Sequence, residues 1–224
     1  MYNITLICTK HHENGLCNID ELYKIIEKIN PEIIFEEMSP SYFDVCYNGQ
    51  RFSLSLEANA IKKYLQKHCI EHISVDNFDL KNKDIYCLKN DIDYMFDKIE
   101  YNNECRNLEN EIGLLSGQLG FAYLNSNQCG ELFNKKHILE ESIVNNSNDD
   151  KLFCVHKLWT EINDEREDGM INNIYSYSKE HRFEKGLFLI GAAHRKSMIN
   201  KIQKHAATEN VKLNWNFSNY SNIL

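Results

Sequence analysis

Two apolar runs at opposite ends of the chain each stop at a small residue with a histidine three positions further on. Ile4 to Cys8 is followed by Thr9-Lys10-His11, and Leu187 to Ile190 is followed by Gly191-Ala192-Ala193-His194. A short apolar run bounded by a break reads as a strand buried on both faces, and such strands belong to parallel sheets. In open parallel sheets ligands bind beyond the carboxyl ends of the strands. Both histidines are therefore expected in one crevice.

The rest of the chain agrees with that topology. Its opening pattern is strand, helix, strand, helix, strand, the order of right-handed βαβ units. Asn18 followed by Glu21 reads as a capping pair opening a helix to about Asn30, which Pro31 ends. Glu32 to Phe35 is strand-like and ends at Glu36-Glu37. From about Ser55 to His68 a helix places Glu57, Ile61, Tyr64 and Leu65 on one face. Ile73 to Val75 reads as a third strand, ending at Asp76. Residues 80 to about 144 read as a polar helical insertion, 151 to 181 as a long helix, Ser197 to Ala207 as a last helix and Val211 to Phe217 as an edge strand. The expectation is one α/β domain over 1–224, with a mainly parallel central sheet flanked by helices and a helical insertion before the last strands. His11, Glu37, Asp76 and His194 each follow the carboxyl end of a strand, which marks them as one candidate site.

Composition restricts the partners. The formal charge is -8 and the arginines are scattered, so no basic stripe is present to neutralise phosphates, and nucleic acid is not expected as a partner. Eight cysteines occur singly without a CxxC pair, which reads as buried thiols in a reducing compartment rather than a zinc ribbon or redox dithiol. No apolar stretch approaches the roughly 18 residues of a membrane span, and no signal-peptide pattern follows Met1. A cytoplasmic protein without membrane association is expected.

The long helix carries a second clue. Val155, Trp159, Ile162, Met170, Ile174 and Tyr177 form an apolar stripe that Glu165 and Arg166 interrupt, with Gly169 one turn on. Charges in a core-facing phase must be paired or engaged by a ligand. They read either as an internal ion pair tying helix to sheet or as a guanidinium aimed into the crevice. Glu57 is a similar exception on its helix, open to a solvated first-turn role that the helix dipole favours.

These residues resemble the TraB/Tiki superfamily, which includes erythromycin esterases, pheromone-shutdown proteins and ChaN-like haem-binding lipoproteins. Cys8-Thr9-Lys10-His11 is similar to the first GxxH element, with Cys8 in place of glycine, and Gly191-Ala192-Ala193-His194 matches the second. Pro31 to Met38 is similar to the stretch ending in a strand-terminal glutamate, here Glu37. Glu57 to Ala60 and Val75-Asp76 look like the helix glutamate and the aspartate after the third strand. Glu165-Arg166-Glu167 with Met170 is similar to the ER(N/D)xxM helix, with Glu167 departing from Asn or Asp.

The resemblance agrees with what the side chains do unaided. Two imidazoles and a carboxylate hold a divalent cation with a position open for water, whose pKa the ion lowers. On this reading His11, Glu37 and His194 surround manganese, cobalt, zinc or iron; Arg166 stabilises charge developing on a scissile oxygen; Glu57, Asp76 and Glu165 complete the catalytic set. Without metal, a histidine oriented by a carboxylate activates water directly. The expected function is hydrolysis of an amide, ester or phosphoester in a small-molecule or peptide substrate. A non-enzymatic binder of a small molecule, haem or peptide on the same fold is the alternative. The 80–144 insertion is open to service as a lid, as the surface of a homodimer or as a contact for another protein.

One further motif competes. His68-Cys69-Ile70-Glu71-His72 has the HxxEH spacing of an inverted zinc peptidase, which needs a continuous helix to bring both histidines to one face. The expected helix-to-strand transition here argues against it. His12 is expected to face solvent, and His137, His156, His181 and His205 are read as structural.

Overall fold

A computed structural model describes residues 2–49, 54–77 and 83–217. The described strands are β1 (Tyr2–Thr9), β2 (Ile33–Glu36), β3 (Glu71–Ser74), β4 (Lys185–Gly191) and β5 (Leu213–Asn216). They form one parallel sheet in the order β3-β2-β4-β1-β5. Eight α-helices are described: α1 (Ile19–Ile29), α2 (Pro40–Tyr47), α3 (Leu56–Leu65), α4 (Lys83–Glu100), α5 (Asn103–Leu124), α6 (Asn127–Asn146), α7 (Asp150–Glu180) and α8 (Arg195–Thr208). The α/β architecture expected from the apolar runs is present, and α4–α6 form the helical insertion. Its first residues, 80–82, lie outside the described set.

Local chemistry explains the elements. Ile4, Leu6, Ile7, Cys8 and Thr9 of β1 and every residue of β2 are buried, as in strands covered on both faces. Asn18 caps α1 by accepting the Glu21 N–H at 3.0 Å, and Asn30 ends it in the left-handed conformation with φ 50°. Ser55 caps α3 at Ala58 N, 3.2 Å away. Asp149 caps α7 at Leu152 N, 3.0 Å away.

Several elements differ from the sequence expectation, β3 and α2 most clearly. The third strand runs over Glu71–Ser74 rather than Ile73–Val75, because pairing with β2 sets Glu71 opposite Ile33 and Ser74 opposite Glu36. The helix α2 was not expected, although Ser39 before Pro40 is a helix start: the serine caps Tyr42 N, and proline at the first position lacks only an N–H that has no helical partner.

The main core lies between the sheet and its helices, with Ile4, Ile7, Ile34, Phe35, Phe188 and Tyr64 all inaccessible. A separate small core binds the insertion to α7 through Met95, Ile99, Cys105, Val144, Leu152 and Val155. The insertion also ties itself to the sheet. Asn125, between α5 and α6, accepts the Cys8 N–H at 2.7 Å and donates to the Cys8 carbonyl at 3.1 Å. Cys8 stands where the resemblance has glycine, but the described non-glycine residues with positive φ are only Asn30 and Asn148, so cysteine meets no backbone strain here.

Candidate functional site

Sheet order decides which strand ends meet. β4 lies between β2 and β1, so Glu37, His194 and His11 follow the carboxyl ends of three adjacent strands, with Asp76 after the outer β3. His11, Glu37 and His194 line one cavity of about 240 Å³, together with Lys10, Gly191 and the insertion residues Glu109, Gly113 and Ser116. The shared crevice expected from the two apolar runs is formed.

On the β1 side, Glu57 at the start of α3 accepts from Thr9 Oγ1 at 2.7 Å, and its Oε1 lies 3.3 Å from His11 Nδ1. The Leu56 N–H donates to the His11 carbonyl at 2.9 Å, fixing the loop to the helix end. The His11 pKa is raised: the Glu57 hydrogen bond outweighs the partial burial that opposes charge. Burial pushes the Glu57 carboxyl up, but His11 and Thr9 reverse this and leave its pKa lowered. Glu57 Oε2 is buried without a hydrogen-bond partner among the described residues.

On the β4 side, one short 3-10 turn, Ala192–His194, sets His194 at the head of α8. Its Nδ1 lies 2.7 Å from Glu167 Oε1, and its Nε2 lies 3.5 Å from Glu37 Oε1. The imidazole thus stands between two carboxylates. Burial works against its charge, but Glu167 and Glu37 prevail and its pKa is raised. Ser197 donates to the other Glu167 oxygen at 2.5 Å, with Lys201 Nζ 3.6 Å from it.

Glu37 is held from three directions. Its Oε2 accepts the Gly191 N–H at 2.7 Å, and its Oε1 accepts from Arg166 Nη2 at 3.1 Å. A Cβ added at Gly191 would stand 3.3 Å from that Oε2, so glycine lets the carboxylate approach the strand end closely. Arg166 binds Asp76 through Nε and Nη2 at 3.1 and 2.7 Å, and its Nη1 donates to Asn163 at 3.0 Å. Arg166 therefore ties α7 to the ends of β2 and β3, and it is not among the cavity-lining residues.

Other expectations are redistributed. Asp76 holds Arg166 and orients neither histidine. Glu165 points to solvent. The buried charge in the core-facing phase of α7 is Glu167, in register with Met170, Ile171 and Ile174. Sequence reasoning left Glu167 out, although it occupies the one position of its motif that departs from Asn or Asp, and a longer carboxylate there spans the gap to His194. Beside Gly169 stands the Asn77 amide, 3.3 Å from where a Cβ would lie. Lys10, Glu109 and Ser116 also went unmarked, since nothing local shows that α5 folds over the crevice.

The HxxEH segment is divided between elements. α3 ends at Leu65, His68 stacks on Tyr64, and Glu71 and His72 lie in β3. Glu71 accepts from Tyr177 at 2.6 Å, while His72 Nδ1 lies 2.7 Å from the buried Glu36. His12 is exposed, as expected.

The divalent ion implied by the resemblance would be held by His11, Glu37 and His194. Both Glu37 oxygens are already engaged, by Arg166 and His194 on one side and Gly191 on the other. Among the described residues no three His, Cys, Asp or Glu side chains are placed to hold a metal ion. This arrangement does not fit a three-ligand ion site, so the chemistry of the crevice is derived from its imidazoles and carboxylates. No described helix is long and apolar enough to cross a membrane. No protein-family model, no curated protein and no solved structure matches the chain, so a functional reading rests on the crevice itself.

Proposed function

We propose that the crevice hydrolyses a carbonyl or phosphoryl ester, or an amide, with water activated by histidine. The observation that carries this reading is the pair of imidazoles in one cavity, each with Nδ1 on a carboxylate: His11 on Glu57 and His194 on Glu167. A carboxylate at Nδ1 selects the tautomer and leaves Nε2 to act on the substrate.

The two histidines have different surroundings, which divides acid from base. His11 is the more exposed, has one carboxylate in contact and takes the proton from water. His194 stands between Glu167 and Glu37, which favour its imidazolium; from Nε2 it donates to the oxyanion or leaving group. Arg166 fixes Glu37 against the backbone of Gly191 and so sets the position of His194. Lys10, in the same wall, supplies a second positive group facing the substrate.

Aryl acetates, aryl amides and aryl phosphates, offered to the purified protein beside His11→Ala and His194→Ala, test this. Turnover of at least one class, reduced about a hundredfold or more in each variant, is expected. Equal rates in wild type and both folded variants would overturn it, and saturable ligand binding without turnover would favour a binding protein.

A further inference from the structure

Most charges in the crevice wall are already matched. Glu37 stands on Arg166, Glu109 on Lys136, His11 on Glu57 and His194 on Glu167. Lys10 is different. Among the described residues its ammonium makes no ion pair, and its one hydrogen bond reaches Ser116 Oγ at 3.5 Å, the far end of the hydrogen-bonding range. An ammonium brings three donors, so most of the capacity of this wall lysine is unused.

The fold holds this cation against the insertion. Ser116 is buried and donates to the Gly113 carbonyl at 2.9 Å; Asn14 donates to the same carbonyl at 2.7 Å and to Ser116 Oγ at 3.3 Å. The Leu16 N–H donates to the Gly117 carbonyl at 2.8 Å, and a Cβ on Gly15, whose φ is 56°, would stand 2.2 Å from that oxygen. The loop after β1 is thus clamped to α5, with Lys10 at its start. A second cation without a carboxylate lies next to His194. Arg195 is 7% exposed; its Nη2 donates to the Phe217 carbonyl at 3.1 Å, its Nε is buried without a partner, and it forms no ion pair among the described residues. A guanidinium left uncompensated inside the protein adds positive potential at the strand ends, where it favours a bound anion. Ile112, Leu124 and Phe133 give the same crevice an apolar side. At about 240 Å³ the cavity falls below the roughly 300–1,000 Å³ of sites that enclose a drug-sized ligand, so its occupant is small.

We propose that the histidine crevice takes a small ester or amide carrying a carboxylate, and that Lys10 is the specificity-determining residue that receives the carboxylate. One carboxylate balances one ammonium and accepts its free donors. A phosphate dianion would bring two charges to a wall that also carries Glu37 and Glu109. The short hydrocarbon body of the substrate covers Ile112, Leu124 and Phe133, and its scissile group lies at His11 and His194. Cleavage of that group rests on the hydrolase reading above; capture of the carboxylate by Lys10 does not.

The test is direct binding, which needs no turnover. Butyrate, its neutral isostere butyramide, butylamine and inorganic phosphate are titrated into the full-length protein, followed by amide NMR and calorimetry. Saturable binding of butyrate is expected, about tenfold tighter than of the other three, with shifts centred on Lys10, His11, Gly113 and Ser116. Lys10→Met weakens butyrate about tenfold and Lys10→Arg recovers part of the loss, while Lys28→Met, on the exposed side of α1, leaves it unchanged. Equal binding of butyrate and butyramide, no saturation at tens of millimolar, or unchanged affinity in a folded Lys10→Met variant would overturn the proposal, as would tighter binding of phosphate. Selective butyrate binding by a protein that turns over none of the aryl substrates would uphold the carboxylate site and sink the hydrolase reading. Turnover without butyrate selectivity would do the reverse.

Discussion

Glu167 reaches from the middle of α7 to His194 at the head of α8, with its Oε1 2.7 Å from the histidine Nδ1. The contact links the longest helix to a strand end, and it sets which ring nitrogen faces Glu37 and the crevice. Ser197 and Lys201, one and two turns along α8, hold the same carboxylate from the other side.

Replacing Glu167 by Gln keeps the shape but removes the charge that favours the imidazolium. Turnover is expected to fall about ten- to a hundredfold, the usual cost of losing a partner that orients a functional histidine. Glu167→Asp is expected to recover only part of it, since the shorter side chain withdraws from Nδ1. Ring-nitrogen NMR of His194 checks the cause: the population protonated at Nδ1 should drop in Glu167→Gln.

The same pair makes stability depend on pH. The His194 pKa is raised above its ordinary 6.5 in the folded protein, with burial opposing and Glu167 and Glu37 favouring the charge. The folded state therefore binds the proton more tightly than the unfolded state. The stability it adds is present in full below pH 6.5 and is lost as pH rises through the folded value. Urea midpoints between about pH 6 and 9 should fall less steeply in His194→Asn than in wild type.

Arg166 neutralises two carboxylates at once. Arg166→Ala removes the guanidinium that Glu37 and Asp76 share, at a cost of about 3 kcal/mol of folding stability. Asp76→Asn in the same chain should recover part of that loss, so the two changes are non-additive. Urea unfolding of the two single variants and the double variant measures the coupling.

His72 and His11 separate the two histidine motifs. Burial raises the pKa of Glu36 against the opposing hydrogen bonds from His72 and Tyr47. His72→Ala is expected to cost about 1–3 kcal/mol of stability while the folded protein keeps its turnover. His11→Ala should lower turnover about a hundredfold or more and cost some stability as well, because the buried Glu57 carboxylate loses its imidazole partner. Loss of turnover in folded His72→Ala would restore the HxxEH reading.

Chelation addresses the ion. With both Glu37 oxygens engaged by Arg166, His194 and Gly191, turnover is expected to survive exhaustive treatment with a chelator. Elemental mass spectrometry of the untagged protein provides the check. Stoichiometric metal, lost in the His11→Ala/His194→Ala double variant, would show that Glu37 exchanges Arg166 for a cation.

The sequence by itself determined most of the elements, α2 excepted, and the strand ends to within a residue or two. Short apolar runs such as Ile4 to Cys8 and Leu187 to Ile190 bury both faces wherever they sit, and caps such as Asn18 act within one helical turn, so these features depend on near neighbours alone. Placement of His11, Glu37, Asp76 and His194 at strand ends was legible for the same reason. Lateral order was not: only the tertiary structure sets β4 between β2 and β1, which brings His194 beside Glu37, because strand pairing depends on residues more than a hundred positions apart. The phase of α7 was decided in the same way. Arg166 and Glu167 are adjacent, and either satisfies a stripe read from spacing; packing against β2, β3 and α8 gives Arg166 to Asp76 and Glu37, and Glu167 to His194. The cover that α5 places over the crevice likewise came from tertiary packing, as the exchange of hydrogen bonds between Asn125 and Cys8 joins segments that nothing local connects.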